Sequence, residues 1–142
     1  MDKTGLGRQQ GERMRLIIAD DQAAIVEITR CLLAVDFDVI ATVDSGVGAF
    51  VAITRLEPDC AVLDISMPDV NGIEVAKRLK AAGSTAKIVF LTVHEDPDFV
   101  DEAVAAGGLG YVVKSRIGLD LKTALCCAIA GDLFVSPSIK MN

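Results

Sequence analysis

Three acids stand where apolar runs stop. The run 15–19 ends in Asp20-Asp21, and the run 60–63 ends in Asp64. Two further runs close on Thr92 and on Lys114. If these runs are strands of one sheet, three carboxylates, a hydroxyl and an ammonium meet at one edge. Clustered carboxylates repel, so at least one should titrate high unless a cation is bound. Oxygen donors suit a hard ion such as Mg2+, which takes one or two carboxylates together with phosphate oxygens and water. Lys114 is a compact charge that can pair a carboxylate at rest and a phosphoryl oxygen afterwards. A carboxylate can attack phosphorus to form an acyl phosphate, which makes Asp64 the candidate nucleophile. Mg2+ and Lys114 would then offset charge on the transferring group. Taken singly, each residue has a bland reading. Asp20-Asp21 would be a turn or a helix cap, Thr92 a strand residue and Lys114 a solvated surface lysine. Their joint position at four strand ends reverses that judgement.

The elements that must hold these groups follow from apolar spacing. Short continuous runs near 15–20, 37–43, 60–64, 87–92 and 110–113 read as strands. Between them, apolar residues recur at three- and four-residue steps, as Ile25, Ile28, Leu32 and Val35 do, and predict helices. Ser45 is placed to cap the second helix. Asn71-Gly72 opens the third, and Asp96-Pro97 starts the fourth with a cap followed by proline. Leu119 to Ala130 forms the last, stopped by Gly131. Five strands alternating with five helices predict an α/β, flavodoxin-like doubly wound (βα)5 domain with a five-stranded parallel sheet in the order 2-1-3-4-5. Ligands of such a fold bind beyond the carboxyl ends of the strands.

Composition narrows the function. A chain of 142 residues fits one domain, and 51% apolar content excludes disorder. The net charge of -6 argues against a nucleic-acid surface on this piece. No apolar run approaches the roughly 20 residues that cross a bilayer, so no membrane partner is expected. Residues 1–14 are polar, lack the apolar stretch of a signal peptide and read as a flexible extension. Cys31, Cys60, Cys126 and Cys127 form no CxxC pair, which fits reduced thiols in a cytoplasm. The tail 135–142 holds Pro137 and reads as the start of a linker.

The set Asp20-Asp21, Asp64, Thr92 and Lys114 resembles the receiver domain of bacterial response regulators. The stretch 64–72, DISMPDVNG, is similar to that family's loop after its phosphorylated aspartate, and Tyr111 matches its switch aromatic. The resemblance covers about 15–134. The stretches 106–115 and 131–137 resemble the subfamily that carries a LuxR-type DNA-binding output. It implies a two-component phosphoprotein, not an enzyme proper, that assists its own phosphorylation and dephosphorylation. Asp64 would accept phosphate from a sensor histidine kinase. Asp21 and Asp64 would ligate Mg2+ directly, Asp20 mainly through water, with the Ser66 carbonyl completing the set. Lys114, Thr92 and the N–H groups of Ser66 and Val93 would hold the phosphoryl oxygens. Thr92 and Tyr111 would move together, Tyr111 turning into space opened beside Thr92. The face of helix 4, strand 5 and helix 5 would change. DNA would be reached only through an output domain absent from this chain, and spare apolar residues on the last helix could serve a homodimer.

Alternatives are weighed on the same residues. A stand-alone receiver would act through protein contacts, whereas an excised one would continue into an output domain. A haloacid-dehalogenase-like phosphatase resembles Asp-x-Asp, but Ser66 stands at the second acid's position. A flavodoxin needs a hydroxyl- and glycine-rich loop where Asp20-Asp21 stands. His94, the single histidine, reads as a loop residue beside the site. Val93 departs from the family's very small residue and should narrow the approach to Asp64.

Overall fold

A computed structural model describes residues 12–141. Most of the expected extension, residues 1–11, lies outside them. Strands β1 (Met14–Ala19), β2 (Phe37–Val43), β3 (Cys60–Leu63), β4 (Lys87–Thr92) and β5 (Gly110–Val113) alternate with helices α1 (Ala23–Leu33), α2 (Gly46–Leu56), α3 (Gly72–Ala81), α4 (Pro97–Ala105) and α5 (Ile117–Ile129). A single 3-10 turn, Lys114–Arg116, joins β5 to α5. The strands pair in parallel.

The five-strand expectation needs one correction. A sixth strand, β6 (Phe134–Val135), pairs in parallel with β5, and the sheet order is β2-β1-β3-β4-β5-β6. Two residues carry no readable period, and Pro137 drew attention to a linker instead. The chain stays packed beyond β6, for Ser136 is fully buried and Ile139 is 6% exposed.

Alternating strand residues build two cores, because successive side chains point to opposite faces. Ile17, Ala61, Phe90 and Tyr111 meet the inner faces of α2, α3 and α4. Leu16, Ile18, Val62 and Val112 meet Leu33 of α1 and Leu121, Ala124, Leu125 and Ala128 of α5. Burial on both faces is why the strands read as unbroken apolar runs.

The helix starts follow the capping signals. Ser45 Oγ accepts from the Gly48 N–H at 2.9 Å, Asn71 Oδ1 from Glu74 at 2.9 Å, and Asp96 Oδ1 from Asp98 at 2.9 Å. Asp69 supplies a further tie that spacing did not indicate. Its carboxylate accepts from the Gly46 and Val47 N–H groups at 2.7 and 3.0 Å. The loop after β3 is thereby fastened to the start of α2. Those N–H hydrogen bonds hold the Asp69 carboxyl below its ordinary pKa. None of the four cysteines is in a disulfide, and Cys60 is buried.

Candidate phosphoryl and metal site

The carboxyl ends of β1, β3, β4 and β5 bring the expected groups together. Asp20 follows β1 and is 2% exposed, and Asp64 follows β3 and is 3% exposed. Both are anchored by backbone bonds, Asp20 N–H to Val43 O and Asp64 N–H to Ala19 O. Carboxylate oxygens of Asp20, Asp21 and Asp64 lie within 4.8 Å of one another. Asp21 is exposed, so the cluster opens to solvent on its side.

Lys114 sits among them. Its ammonium is 2.9 Å from Asp20 Oδ2 and 3.2 Å from Asp64 Oδ2. Its shortest hydrogen bond, 2.7 Å, goes to Gln22 Oε1. From sequence Gln22 reads as the start of the first helix, with no role in the site. Its position directly after the acid pair was the available signal. The Gln22 N–H also donates to Asp20 Oδ1 at 2.8 Å, so one residue orients both the acid and the lysine.

Burial pushes the Asp64 carboxyl above its ordinary pKa, and repulsion from Asp20 pushes it further. Lys114 and the Ser66 N–H, which donates to Asp64 Oδ1 at 3.1 Å, pull the other way without prevailing. The Ser66 N–H expected to meet a phosphoryl oxygen is thus engaged by Asp64 in this state.

The oxygen-only donor set suits a hard divalent ion. The geometry agrees: the three carboxylates converge within 4.8 Å on a side open to solvent at Asp21, while Asp20 Oδ2 is already offset by the Lys114 ammonium 2.9 Å away. The residues present therefore fit Mg2+.

Thr92 ends β4 fully buried, and its Oγ1 accepts from the His94 N–H at 3.2 Å. Tyr111 is 1% exposed and donates from its hydroxyl to His94 O at 2.9 Å. Burial and the nearby Asp96 charge push its pKa up to about 12. The expectation that Tyr111 turns inward meets a ring already inside, held there by the His94 carbonyl. His94 stacks on Phe99, with ring centroids 4.4 Å apart and 19° between planes. Its Nε2 lies 2.9 Å from Ser66 Oγ. Val93, the residue after Thr92, is 62% exposed.

Comparison with known proteins agrees with this geometry. The family described as response regulator receiver domain matches residues 16–125. Transcriptional regulatory protein YvfU of Bacillus subtilis is 35% identical over 91% of this chain and 66% of its own length. Transcriptional regulatory protein LnrK of the same organism is 32% identical over 89% of this chain and 58% of its own. The chain thus spans less than two thirds of either relative. A LuxR-family two-component response regulator from Aurantimonas sp. SI85-9A1 superposes with a TM-score of 0.85 at 28% identity, covering 90% of this chain and 93% of that one. A LuxR-family DNA-binding response regulator from Staphylococcus aureus gives 0.77 at 28% identity, covering 82% and 98%.

Proposed function

The chain belongs to the response regulator receiver domain family, and from that premise we propose that Asp64 accepts a phosphoryl group from a phosphohistidine on a sensor histidine kinase. An Asp64 oxygen forms a bond to phosphorus as the bond from phosphorus to the imidazole nitrogen breaks. The imidazole leaves with the electron pair. Proteins similar to this chain include transcriptional regulatory proteins and a LuxR-family response regulator, so residues 15–134 would be the input half of such a regulator, working in the cytoplasm. The segment after them would lead towards a DNA-binding output.

The observation that carries this reading is the buried Asp64 held 3.2 Å from the Lys114 ammonium. Lys114 meets three groups: Asp20 as an ion pair, Gln22 by a hydrogen bond and Asp64 by another. A phosphoryl oxygen on Asp64 can take over the third contact. Asp21 and Asp64 would hold Mg2+ with Asp20 and the Ser66 carbonyl, and the ion would neutralise charge on the phosphoryl oxygens. Thr92 would give up the His94 N–H and donate its hydroxyl to the phosphoryl group. Since Tyr111 is bonded to the His94 carbonyl, movement of the Thr92–His94 segment would reach helix α4 and strand β5 through that bond. Hydrogen bonds to a charged group contribute about 1.5–3 kcal/mol each. Two or three of them match the ~5.5 kcal/mol that reverses a two-state population almost completely.

The direct test is intact-mass spectrometry after incubation with Mg2+ and either a phosphorylated kinase or acetyl phosphate. A hydroxylamine-labile phosphoryl adduct is expected on the parent chain and absent from Asp64→Asn. Equal labelling of the two would sink the assignment. Access supplies a further expectation. Val93 directly follows Thr92 and is 62% exposed, and if its branched side chain obstructs the donor, Val93→Ala should speed labelling by acetyl phosphate roughly threefold, about 0.6 kcal/mol of barrier. An unchanged or slower rate in that variant would show that Val93 does not obstruct the donor.

A further inference from the structure

The chain leaving α5 is tied to the proposed phosphoryl site by a closed ring of polar contacts. Ser136 is fully buried. Its hydroxyl donates to Asp120 Oδ2 at 2.8 Å and accepts from the Val113 N–H at 3.1 Å. Asp120 is 5% exposed and is gripped by Arg116, Nε at 2.6 Å and Nη2 at 3.2 Å. Arg116 stands two residues after Lys114, and Val113 stands one before it. The ring therefore runs from Val113 through Lys114 and Arg116 to Asp120, then to Ser136 and back. Lys114, whose ammonium contacts Asp64, is a member of it.

The same serine fixes the outgoing backbone. Its N–H donates to Tyr111 O at 2.9 Å, and its carbonyl accepts from Ile139 at 3.0 Å. Phe134 N–H donates to Leu109 O at 2.9 Å. Packing alone would be served by alanine at this position. A buried hydroxyl bridging an amide and a carboxylate instead makes the segment's attachment depend on where Val113 and Arg116 stand.

We propose that this ring is a latch, holding residues 134–139 against β5 while Asp64 is unmodified and releasing them when Asp64 carries a phosphoryl group. The proposal rests on the reading of Asp64 as phosphoacceptor. A phosphoryl oxygen lies farther from the backbone than the Asp64 oxygen that Lys114 now meets. The latch requires that Lys114 gives way to the new acceptor at its backbone, its peptide link to Val113 moving with it. The Val113 to Ser136 bond is the ring's neutral member, whereas the bonds to Asp120 are charge-assisted, so it is the contact that yields first. Coupling is reciprocal: whatever phosphorylation loosens must, when removed in advance, favour the phosphorylated state by the same factor.

Amide hydrogen exchange across 133–140, with Mg2+ and with or without beryllofluoride, tests this on the whole chain. Beryllofluoride binding is followed separately by fluorine NMR. In the parent, exchange at the Ser136 and Ile139 amides should rise about tenfold when beryllofluoride binds. In Ser136→Ala it should be fast in both conditions, and beryllofluoride should bind about tenfold more tightly. Asp64→Asn should show no response. Binding to the parent that depends on Asp64 but leaves 134–139 exchange unchanged overturns the latch alone. So does an unaltered affinity in Ser136→Ala. Absence of any Asp64-dependent binding overturns the phosphoacceptor reading, and the latch with it. Should Ser136→Ala fail to fold, the parent's exchange response decides, with Asp120→Asn as the second opened variant.

Discussion

Asp64→Asn should melt higher than the parent chain in metal-free buffer at pH 7, by roughly 3 °C, on the order of 1 kcal/mol. The sign follows from the site. Burial first, and the Asp20 charge second, raise the Asp64 pKa above its ordinary 3.8. A carboxyl whose folded pKa is raised contributes stability in full below its unfolded pKa, and that contribution is lost as pH rises through the folded value. At pH 7 the ionised group therefore strains the fold, and a neutral amide of the same shape relieves it. Below the ordinary aspartate range the two proteins should melt together. Mg2+ should reverse the order at pH 7, raising the parent's melting temperature far more than the variant's, because binding to the folded state adds stability by mass action. A variant that melts below the parent at pH 7 without metal would mean that the Lys114 pair outweighs burial. The site would then be a structural ion pair.

Asp120 makes the contrast. It is buried as well, yet the Arg116 hydrogen bonds hold its pKa below the ordinary value. Its contribution is present above the unfolded pKa and is lost as pH falls through the folded one. One buried carboxylate is satisfied and holds structure. The other receives hydrogen bonds from Ser66 and Lys114 yet keeps a raised pKa, a mark of a group poised for chemistry.

The strand ends were legible because a parallel sheet covered on both faces leaves unbroken apolar runs, and the acids interrupt them. Asp20, Asp64, Thr92 and Lys114 could be placed from that alone. The caps at Ser45, Asn71 and Asp96 were legible for a local reason, since each bonds within its own helix turn. What stayed hidden depends on contacts remote in sequence. Gln22 meets Lys114, Asp69 meets Gly46, and Ser136 meets Asp120 and Val113 across elements. No local periodicity records such pairs. Ser136 was further masked by Pro137, which makes a two-residue edge strand look like a linker. The inward Tyr111 belongs to the same class, because a rotamer held by the His94 carbonyl leaves no trace in spacing.

Gly72 connects the fold to the chemistry, and adding a single methyl group there should be among the most damaging changes of its kind. Gly72 is the first residue of α3, and its N–H donates to Ile65 O at 2.8 Å. A Cβ at this position would stand 2.2 Å from the carbonyl oxygen of Asp64 and 3.1 Å from Ile65 Cα. Both are backbone atoms, so no side chain can turn away. Asp64 directly follows β3, which lies between β1 and β4, so the strand cannot retreat without breaking two ladders. Gly72→Ala should therefore cost about 3 kcal/mol, the upper part of the usual range for overpacking. It should also weaken beryllofluoride-dependent Mg2+ binding, because the relief available is a shift of the Asp64 backbone. Gly118→Ala is the control. Nothing lies within 4 Å of a Cβ there, and the residue sits in α5. The same substitution should stabilise by about 0.5–1 kcal/mol through helix propensity. Paired urea melts would show opposite signs from one chemical change in one chain. Equal stability of Gly72→Ala and the parent would mean that α3 does not press on the Asp64 carbonyl, and that another contact sets the height of the nucleophile.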